Sequence, residues 1–434
     1  MSSRTKTTAE LVPKLRFPEF RGAGAWKPVT LEEASTPVTE RVGERKLTPV
    51  SISAGIGFVP QAEKFGRDIS GNQYQLYTLV RDGDFVFNKG NSLKFPQGCV
   101  YLLQGWGQVA APNVFICFRL KGGYSNGFFQ NCFEQNQHGR QLKRHITSGA
   151  RSNGLLNISK ETFFGVEIQT PAPAEQQKIA ECLSSVDELI AAQARKVDAL
   201  KTHKKGLMQQ LLPREGETQP HLRFPEFKNS GTWEKTPFSD LCEIKHGYAF
   251  ESEFFCGEGE YVLLTPGNFY EQGGYRDRGG QQKFFSGKIP REYVLTKGDM
   301  LVAMTEQSAG LLGSPILVIE SDKFLHNQRL GLVARKPGVA WTNEFFFHVF
   351  NTQRVRKAIH DTASGAKVRH TSPTKIGDVL VSIPATLPAQ EHIAMCLSSL
   401  DALITAEIQK LEVLKAHKKG LMQQLFPSPE VVEA

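Results

Sequence analysis

Four short polar segments carry side chains that suit hydrogen bonding to the edges of nucleic-acid bases. Two lie in the first half of the chain, at 88–94 and 148–153, and two in the second half, at 305–308 and 364–370. Arginine and lysine match guanine, asparagine and glutamine match adenine, and glutamate accepts from cytosine. The candidate contact residues are Lys89, Asn91, Lys94, Arg151, Asn153, Glu306, Gln307, Lys367, Arg369 and His370. The alternative is that these segments are ordinary polar turns.

Positive charge is concentrated near these segments. Residues 119–160 contain seven basic residues and one acidic residue, and residues 334–375 contain eight and two, so each segment carries a net charge of +6. Two basic clusters at corresponding places suit a phosphate-facing surface. The candidates for phosphate contact are Arg140, Arg144, Arg354 and Arg356. The alternative is a helix face that is merely solvated.

The sequence contains no recognisable catalytic motif. It lacks the G-x-x-x-x-G-K-[ST] phosphate loop, a G-x-G-x-x-G segment after a strand, and H-E-x-x-H. We therefore expect a binding protein that is not an enzyme and needs no cofactor. The odd number of cysteines, seven, without C-x-x-C favours free thiols in a reducing compartment. With no secretory signal or long apolar run, we expect a cytoplasmic protein.

The candidate segments lie in two bodies that a repeated frame encloses. "PKLRFPEFRGAGAW" at 13–26 returns as "PHLRFPEFKNSGTW" at 220–233, and we name this the opening motif. "EQQKIAECLSSVDELI" at 175–190 returns as "AQEHIAMCLSSLDALI" at 389–404, and "HKKGLMQQLLP" at 203–213 returns at 417–427 with one change. The intervening bodies diverge almost completely. A repeat of this kind indicates two structural copies.

Each closing segment has the pattern of a long helix with a coiled-coil seam. Apolar residues recur at 4-3-4-3 spacing from Ile179 to Leu211 and from Ile393 to Leu425, between flanking prolines. About 38 residues at ~1.5 Å each make a helix of roughly 57 Å. Because such a seam is unstable in water, we expect the two helices to pack together, antiparallel. Polar residues interrupt the seam at Gln193, Lys204, Glu407 and Lys418, and we interpret them as register-setting positions.

The bodies have mixed α/β character. Strands are predicted at 83–88, 98–103 and 113–120 in the first body and at 260–266, 299–304 and 315–320 in the second. A single amphipathic helix is predicted at 125–146 and another at 342–363, the latter capped by Thr342 or Asn343.

The repeat also preserves residues at positions outside the apolar seam of the helix. His203, Lys205 and Gln209 in the first copy match His417, Lys419 and Gln423 in the second, all at predicted solvent-facing positions. Core packing does not explain this identity. We interpret the six residues as two equal docking faces for two equal protein partners.

The repeated motifs resemble those of a known family. Two copies of "LRFPEF…W", each followed by "P-x-x-E-Q-x-x-I-A-x-x-L-x-x-x-D-x-x-I" and "HKKGLMQQL", resemble the DNA-specificity subunit of type I restriction–modification systems. One departure is that the second copy reads Gln390-Glu391 where the first reads Glu175-Gln176. We expect it to be without functional effect.

The resemblance implies both architecture and partners. It implies two target recognition domains separated by two long antiparallel helices with pseudo-twofold symmetry. The expected boundaries are 1–173 and 214–388 for the domains and 174–213 and 389–434 for the helices. Each domain would read one half of a split double-stranded DNA site. Two adenine methyltransferase subunits would dock on the chain, and restriction subunits would bind through them. The alternatives are a two-headed protein scaffold and an enzyme with an unrecognised site.

Overall fold

A computed structural model describes residues 11–90, 95–146, 156–306 and 310–427. The chain divides into two compact units, residues 1–193 with 410–434 and residues 194–409. Each unit contains one body, the first half of the long helix that follows it, and the last half of the other long helix. The division thus falls within the helices, and the expected domain boundaries remain a prediction.

The first body combines short strands with short helices. Its strands are β1 (Lys27–Thr30), β2 (Ser35–Pro37), β3 (Thr48–Ser53), β4 (Gly57–Pro60), β5 (Thr78–Arg81), β6 (Asp84–Asn88), β7 (Cys99–Leu102), β8 (Gln108–Ala111), β9 (Ile116–Leu120) and β10 (Glu167–Thr170). Its helices are α1 (Leu31–Ala34), α2 (Gln61–Phe65), α3 (Asn126–Glu134), α4 (Gln137–Leu142) and α5 (Lys160–Phe164), and the long helix α6 (Pro173–Leu211) follows.

The second body also combines short strands with short helices. Its strands are β11 (Glu234–Pro237), β12 (Cys242–His246), β13 (Phe255–Cys256), β14 (Tyr261–Leu263), β15 (Phe284–Phe285), β16 (Met300–Ala303), β17 (Thr305–Glu306), β18 (Pro315–Leu317), β19 (Phe324–Leu325), β20 (Leu330–Arg335), β21 (Arg369–His370) and β22 (Leu380–Ile383). Its helices are α7 (Phe238–Leu241), α8 (Asn343–Phe350), α9 (Gln353–Asp361) and α10 (Pro373–Gly377), followed by the long helix α11 (Leu387–Leu425).

The sheets show that the repeat continues through the divergent bodies. The first unit has an antiparallel sheet of order β2-β9-β6-β7, and the second has the corresponding order β12-β20-β16-β18. Each also pairs its first strand with its last, β1 with β10 and β11 with β22. A second four-stranded sheet differs between them, β4-β3-β8-β5 against β13-β15-β14-β19. The predicted strands all overlap observed ones, and the predicted mixed α/β class is confirmed.

Each core joins a body to parts of both long helices. In the first unit Phe85, Phe118 and Phe128 are fully buried together with Leu183 of α6 and Leu425 of α11. In the second, buried phenylalanines of α7 and α8 cluster with Leu211 of α6 and Leu397 of α11. Burying each such side chain contributes about 1.5–3 kcal/mol, so these residues hold the helices firmly to the body.

The single amphipathic helix predicted in each body is two helices. In the first body Asn136 takes a left-handed backbone conformation (φ 58°) between α3 and α4. In the second, the hydroxyl of Thr352 accepts a hydrogen bond from the Val355 N–H and so caps a new helix, α9. The predicted cap of α8 is confirmed, because the Thr342 side chain accepts from the Phe345 N–H.

The helix seam is confirmed within each unit. Its positions from Ile179 to Leu211 and from Ile393 to Leu425 are buried or half-buried. In the second unit Lys196 pairs with Glu407 at 2.6 Å and Lys204 with Asp401 at 2.5 Å. Residue numbers thus increase along α6 as they decrease along α11. The paired segments of α6 and α11 are therefore antiparallel there.

The polar seam residues form matched ion pairs. In the first unit Lys418 lies 2.8 Å from Asp187 and 3.1 Å from Glu134, which corresponds to the Lys204–Asp401 pair of the second. Burial alone lowers the Lys418 pKa, but the two carboxylates outweigh it, and the pKa is raised above its ordinary value. Each lysine can reach its carboxylate partner in only one alignment of the two helices. This is what a register-setting role requires.

Candidate nucleic-acid interface

The structure brings the two candidate segments of the second body together. Strands β17 and β21 pair antiparallel, with Thr305 opposite His370 and Glu306 opposite Arg369. This pairing places the segment after β16 beside the segment after α9. Lys367 and His370 are exposed there, whereas Arg369 is half-buried and its guanidinium contacts the imidazole of His360.

The first body has a corresponding contact. The N–H of Leu156, three residues after the second candidate segment, donates to the carbonyl oxygen of Lys89 at the start of the first at 2.9 Å. Asn88 fixes that start, since its side chain donates to Ile52 O at 2.8 Å and accepts from Gly90 N at 2.7 Å. In both bodies the described contact therefore lies just beyond the equivalent strand, β6 or β16.

Five candidate base-contacting residues lie outside the described part of the chain. They are Asn91, Lys94, Arg151, Asn153 and Gln307. Their contacts with bases remain predictions. Lys89, which is described, is half-buried.

Glu306 positions a loop. The side chain is 4% exposed, and its Oε2 accepts from the N–H groups of Gly310, Leu311 and Leu312 at 3.1, 3.0 and 2.9 Å. A buried carboxylate with three backbone donors has its acceptor capacity largely used. We therefore correct the expected role of Glu306 from base contact to loop positioning.

Two of the expected phosphate-contacting arginines also face the protein. Arg354 donates to the carbonyl oxygens of Glu217 and Leu380 at 3.2 and 3.4 Å. Arg356 contacts the carbonyl of Gly310, and burial lowers its pKa to about 10 despite the carboxylates of Glu306 and Glu271. Both side chains thus contribute to local structure, and their contact with phosphate stays a prediction.

The basic surface of the first body is more open. Arg140 on α4 and Arg144 just after it are exposed, as is the neighbouring Lys143. Arg144 Nε donates to His145 Nε2 at 3.2 Å, but exposed guanidinium groups of this kind remain accessible to phosphate oxygens. The first body therefore has the stronger candidate phosphate surface.

Sequence reasoning did not identify a pair of structurally important buried glutamines. Gln176 Oε1 accepts from the N–H of Ser125 at 3.0 Å, and Gln390 Oε1 accepts from that of Thr342 at 3.2 Å. Both amides also donate to a proline carbonyl, of Pro171 and Pro384. Each glutamine thus ties the cap of a body helix to the start of a long helix.

These contacts correct one alignment. Gln390 is the equivalent of Gln176, so Ala389 stands where the first copy has Glu175. The identical spacing of "Q-x-x-I-A" in both copies was the signal that could have shown this.

The expected docking residues lie on the surface. His203, Lys205 and Gln209 on α6 are exposed, as are His417, Lys419 and Gln423 on α11. The side chains of the intervening seam are at least half-buried. Packing within the fold therefore does not explain why these exposed residues are identical in the two copies.

Metal and membrane sites do not appear in the described ranges. Among those residues, no group of histidine, cysteine and acidic side chains could hold a metal ion. No helix within them is long and apolar enough to span a bilayer.

Several known proteins resemble this chain. Residues 230–416 match the family model described as the type I restriction modification DNA specificity domain. The type I restriction enzyme MjaVIII specificity subunit of Methanocaldococcus jannaschii is 23% identical over 292 residues, which cover 65% of this chain and 66% of that protein. The type I restriction enzyme EcoBI specificity subunit of Escherichia coli is 25% identical over 197 residues, which cover 45% and 38%. The matched segments span just under two thirds of the first relative and less of the second.

Solved structures share the fold. The crystal structure of the type I restriction-modification system S subunit from M. genitalium has a TM-score of 0.59 at 14% identity and covers 96% of this chain and 100% of that one. A chain from a structure of complex assembly and conformational transition of the type I R-M system has a TM-score of 0.54 at 15% identity, covering 93% and 98%. Residues 230–416 thus match the type I restriction modification DNA specificity domain, and the chain as a whole shares its fold with solved type I S subunits.

Proposed function

We propose that the chain reads a bipartite DNA site, one half with each body, and holds two methyltransferase subunits on its long helices. The observation that carries this proposal is the repeated placement of the polar segments. In the second body two polar segments pair beyond β16, and in the first body Leu156, three residues after the second polar segment, bonds to Lys89 beyond the equivalent strand β6 of a sheet with the same order. A constant frame that presents unlike loops at one place is suited to reading two unlike half-sites.

The chemistry of recognition would be divided between two kinds of contact. Phosphate contacts from exposed cations such as Arg140 and Arg144 give affinity and orientation, while loop side chains such as Lys367 contact base edges. The chain itself would perform no covalent step. Methyl transfer and restriction would belong to the subunits that it positions.

A two-headed protein scaffold is the second candidate. It is favoured by the internal contacts of Arg354, Arg356 and Arg369, which show that a high local charge does not by itself make a DNA surface.

Binding of a DNA duplex at several salt concentrations separates these candidates. Several phosphate contacts make the logarithm of the association constant fall linearly with the logarithm of salt concentration. Arg140→Ala should weaken all sequences alike and reduce the slope by about 1, whereas the exposed Lys27→Ala, outside the basic segment, should leave the slope unchanged. Binding that is weak and insensitive to salt would favour the scaffold.

The docking faces predict a stoichiometry. Lys205→Glu with Gln209→Ala should remove one of two methyltransferase subunits, Lys419→Glu with Gln423→Ala the other, and all four changes both. These side chains are exposed, so the fold should be retained. Native mass spectrometry of the assembled complex counts the subunits. Retention of both subunits by the fourfold variant would refute these faces as docking sites.

A further inference from the structure

The opening motifs hold two equivalent arginines in the same way. Arg16 donates through Nη1 to Ala23 O at 2.6 Å and through Nη2 to Gly24 O at 3.1 Å. Arg223, 207 positions later, donates through Nη1 to Ser230 O at 2.5 Å and to Gly231 O at 3.1 Å. Each guanidinium is therefore fixed to the turn of its own motif.

In the first unit the guanidinium is completed by a carboxylate. Arg16 donates from Nε and Nη2 to the two oxygens of Glu175 at 2.8 and 2.7 Å, a bidentate pair. The Arg16 and Glu175 side chains are only 7% and 1% exposed. Such charge-assisted pairs are among the strongest polar contacts in proteins, provided both partners are present.

In the second unit that carboxylate is absent. Position 389 is alanine, and across residues 156–306 and 310–427 no acidic side chain forms an ion pair with Arg223. Its Nη2 contacts the neutral side-chain oxygen of Gln219, and its Nε has no hydrogen-bond partner in that part of the chain. Among the described residues, the positive charge of Arg223 is thus held in place without an ion-pair partner.

A cavity occupies the vacated place. It has a volume of about 70 Å³ and is lined by Arg223 and Ala389 together with apolar side chains that include Leu211, Phe224, Trp233 and Ile393. One water needs about 10–15 Å³ on the same measure, so the space suits several waters or a small organic group. Arg223, Ser230, Thr232 and Thr386 line the cavity among mainly apolar side chains, and a cation in such surroundings matches a carboxylate on a short alkyl stem.

We propose that this cavity is a binding site for an alkyl carboxylate supplied from outside the chain. The carboxylate would take the place that Glu175 fills in the first unit, with Arg223 donating to it. A free short-chain acid and a glutamate side chain of another protein share this chemistry. The site does not depend on DNA reading or on the docking faces.

The full-length chain can be tested with small probes by saturation-transfer difference NMR. Butyrate represents the free acid, N-acetylglutamate N-methylamide represents a protein side chain, and butyramide is the neutral control. Butyrate should bind saturably, and butyramide should not. Binding of the glutamate mimic as well assigns the site to a protein side chain, whereas binding of butyrate alone assigns it to a free acid. If neither carboxylate binds, the proposal is overturned.

Matched variants locate the site. Ala389→Glu supplies an internal carboxylate and should abolish probe binding, while Arg223→Gln should weaken it at least tenfold. Glu175→Ala opens the corresponding place beside Arg16 and should raise the number of bound probes from one to two. Because that change leaves a buried arginine unpaired, its lowered melting temperature should rise again with butyrate. Equal binding by wild type and Ala389→Glu would place the probe elsewhere and overturn the proposal.

Discussion

At the scale of residues, charge and polarity alone did not show which basic side chains are exposed to a ligand and which make contacts within the protein. Arg140 and Arg356 belong to basic segments of equal net charge, yet the first is exposed and the second is half-buried against Gly310. The difference arises from tertiary packing of the 310–312 loop around Glu306. Sequence reasoning could therefore identify the basic segments, but not which members of each segment are available to a ligand.

A buried histidine should make the first unit sensitive to acid. His138 lies against the rings of Phe87 and Phe133, and burial lowers its pKa to about 4. The unfolded state takes up a proton near pH 6.5, whereas the folded state does so only near pH 4. The free energy of unfolding should therefore decrease as pH falls through this window, by up to roughly 3 kcal/mol.

Urea unfolding of the wild type and of His138→Leu at pH 7, 5.5 and 4.5 tests this effect. The wild type should lose more stability than the variant over this range, because leucine binds no proton. Parallel losses in the two proteins would show that His138 does not contribute to the acid sensitivity.

At the scale of elements, regular patterns were the most predictable features. The 4-3 spacing of apolar residues identified α6 and α11 and the side of each that is buried. The divisions between α3 and α4 and between α8 and α9 were missed, because apolar periodicity continues across Asn136 and Thr352. A residue in the left-handed conformation and a hydroxyl cap set those two boundaries. Asparagine and threonine also occur in turns and at other positions, so their presence alone does not mark a helix end.

The long helices are expected to set the gap between half-sites. A seven-residue insertion keeps the 3.5-residue repeat of the seam and adds ~10.5 Å, about three base-pair steps of ~3.4 Å. The insertions belong between Lys196 and Lys204 in α6 and between Asp401 and Glu407 in α11, where each helix is bounded by ion pairs.

Selection of bound duplexes from a random library measures the gap. The double insertion should lengthen it by about three base pairs and leave the bases of both half-sites unchanged. An insertion in α6 alone disrupts the pairing with α11 and serves as the control, with lowered stability expected. A normal gap in a stable, DNA-binding double variant would show that these helices are not the spacer.

At the scale of the whole molecule, the repeat explains why one chain contains both near-identical and divergent sequence. The opening motif, the buried glutamines and the seam are alike because each unit closes its core in the same way. The bodies keep the order of one sheet while their second sheets and loops differ. The frame was predictable because its residues are nearly identical in the two copies. The shared sheet order was not predictable from the sequence, because packing can preserve the topology of a core after most of its residues have changed.

The exchange of one body tests the two-reader account most directly. Residues 28–170 can be replaced by the corresponding body of a relative, which leaves the opening motif, both long helices and the second body intact. The preferred sites of the wild type and the chimera are then determined by selection from a random duplex library at one salt concentration. The account predicts that one half-site changes while the other half-site and the gap remain the same. A simultaneous change of both half-sites would contradict it.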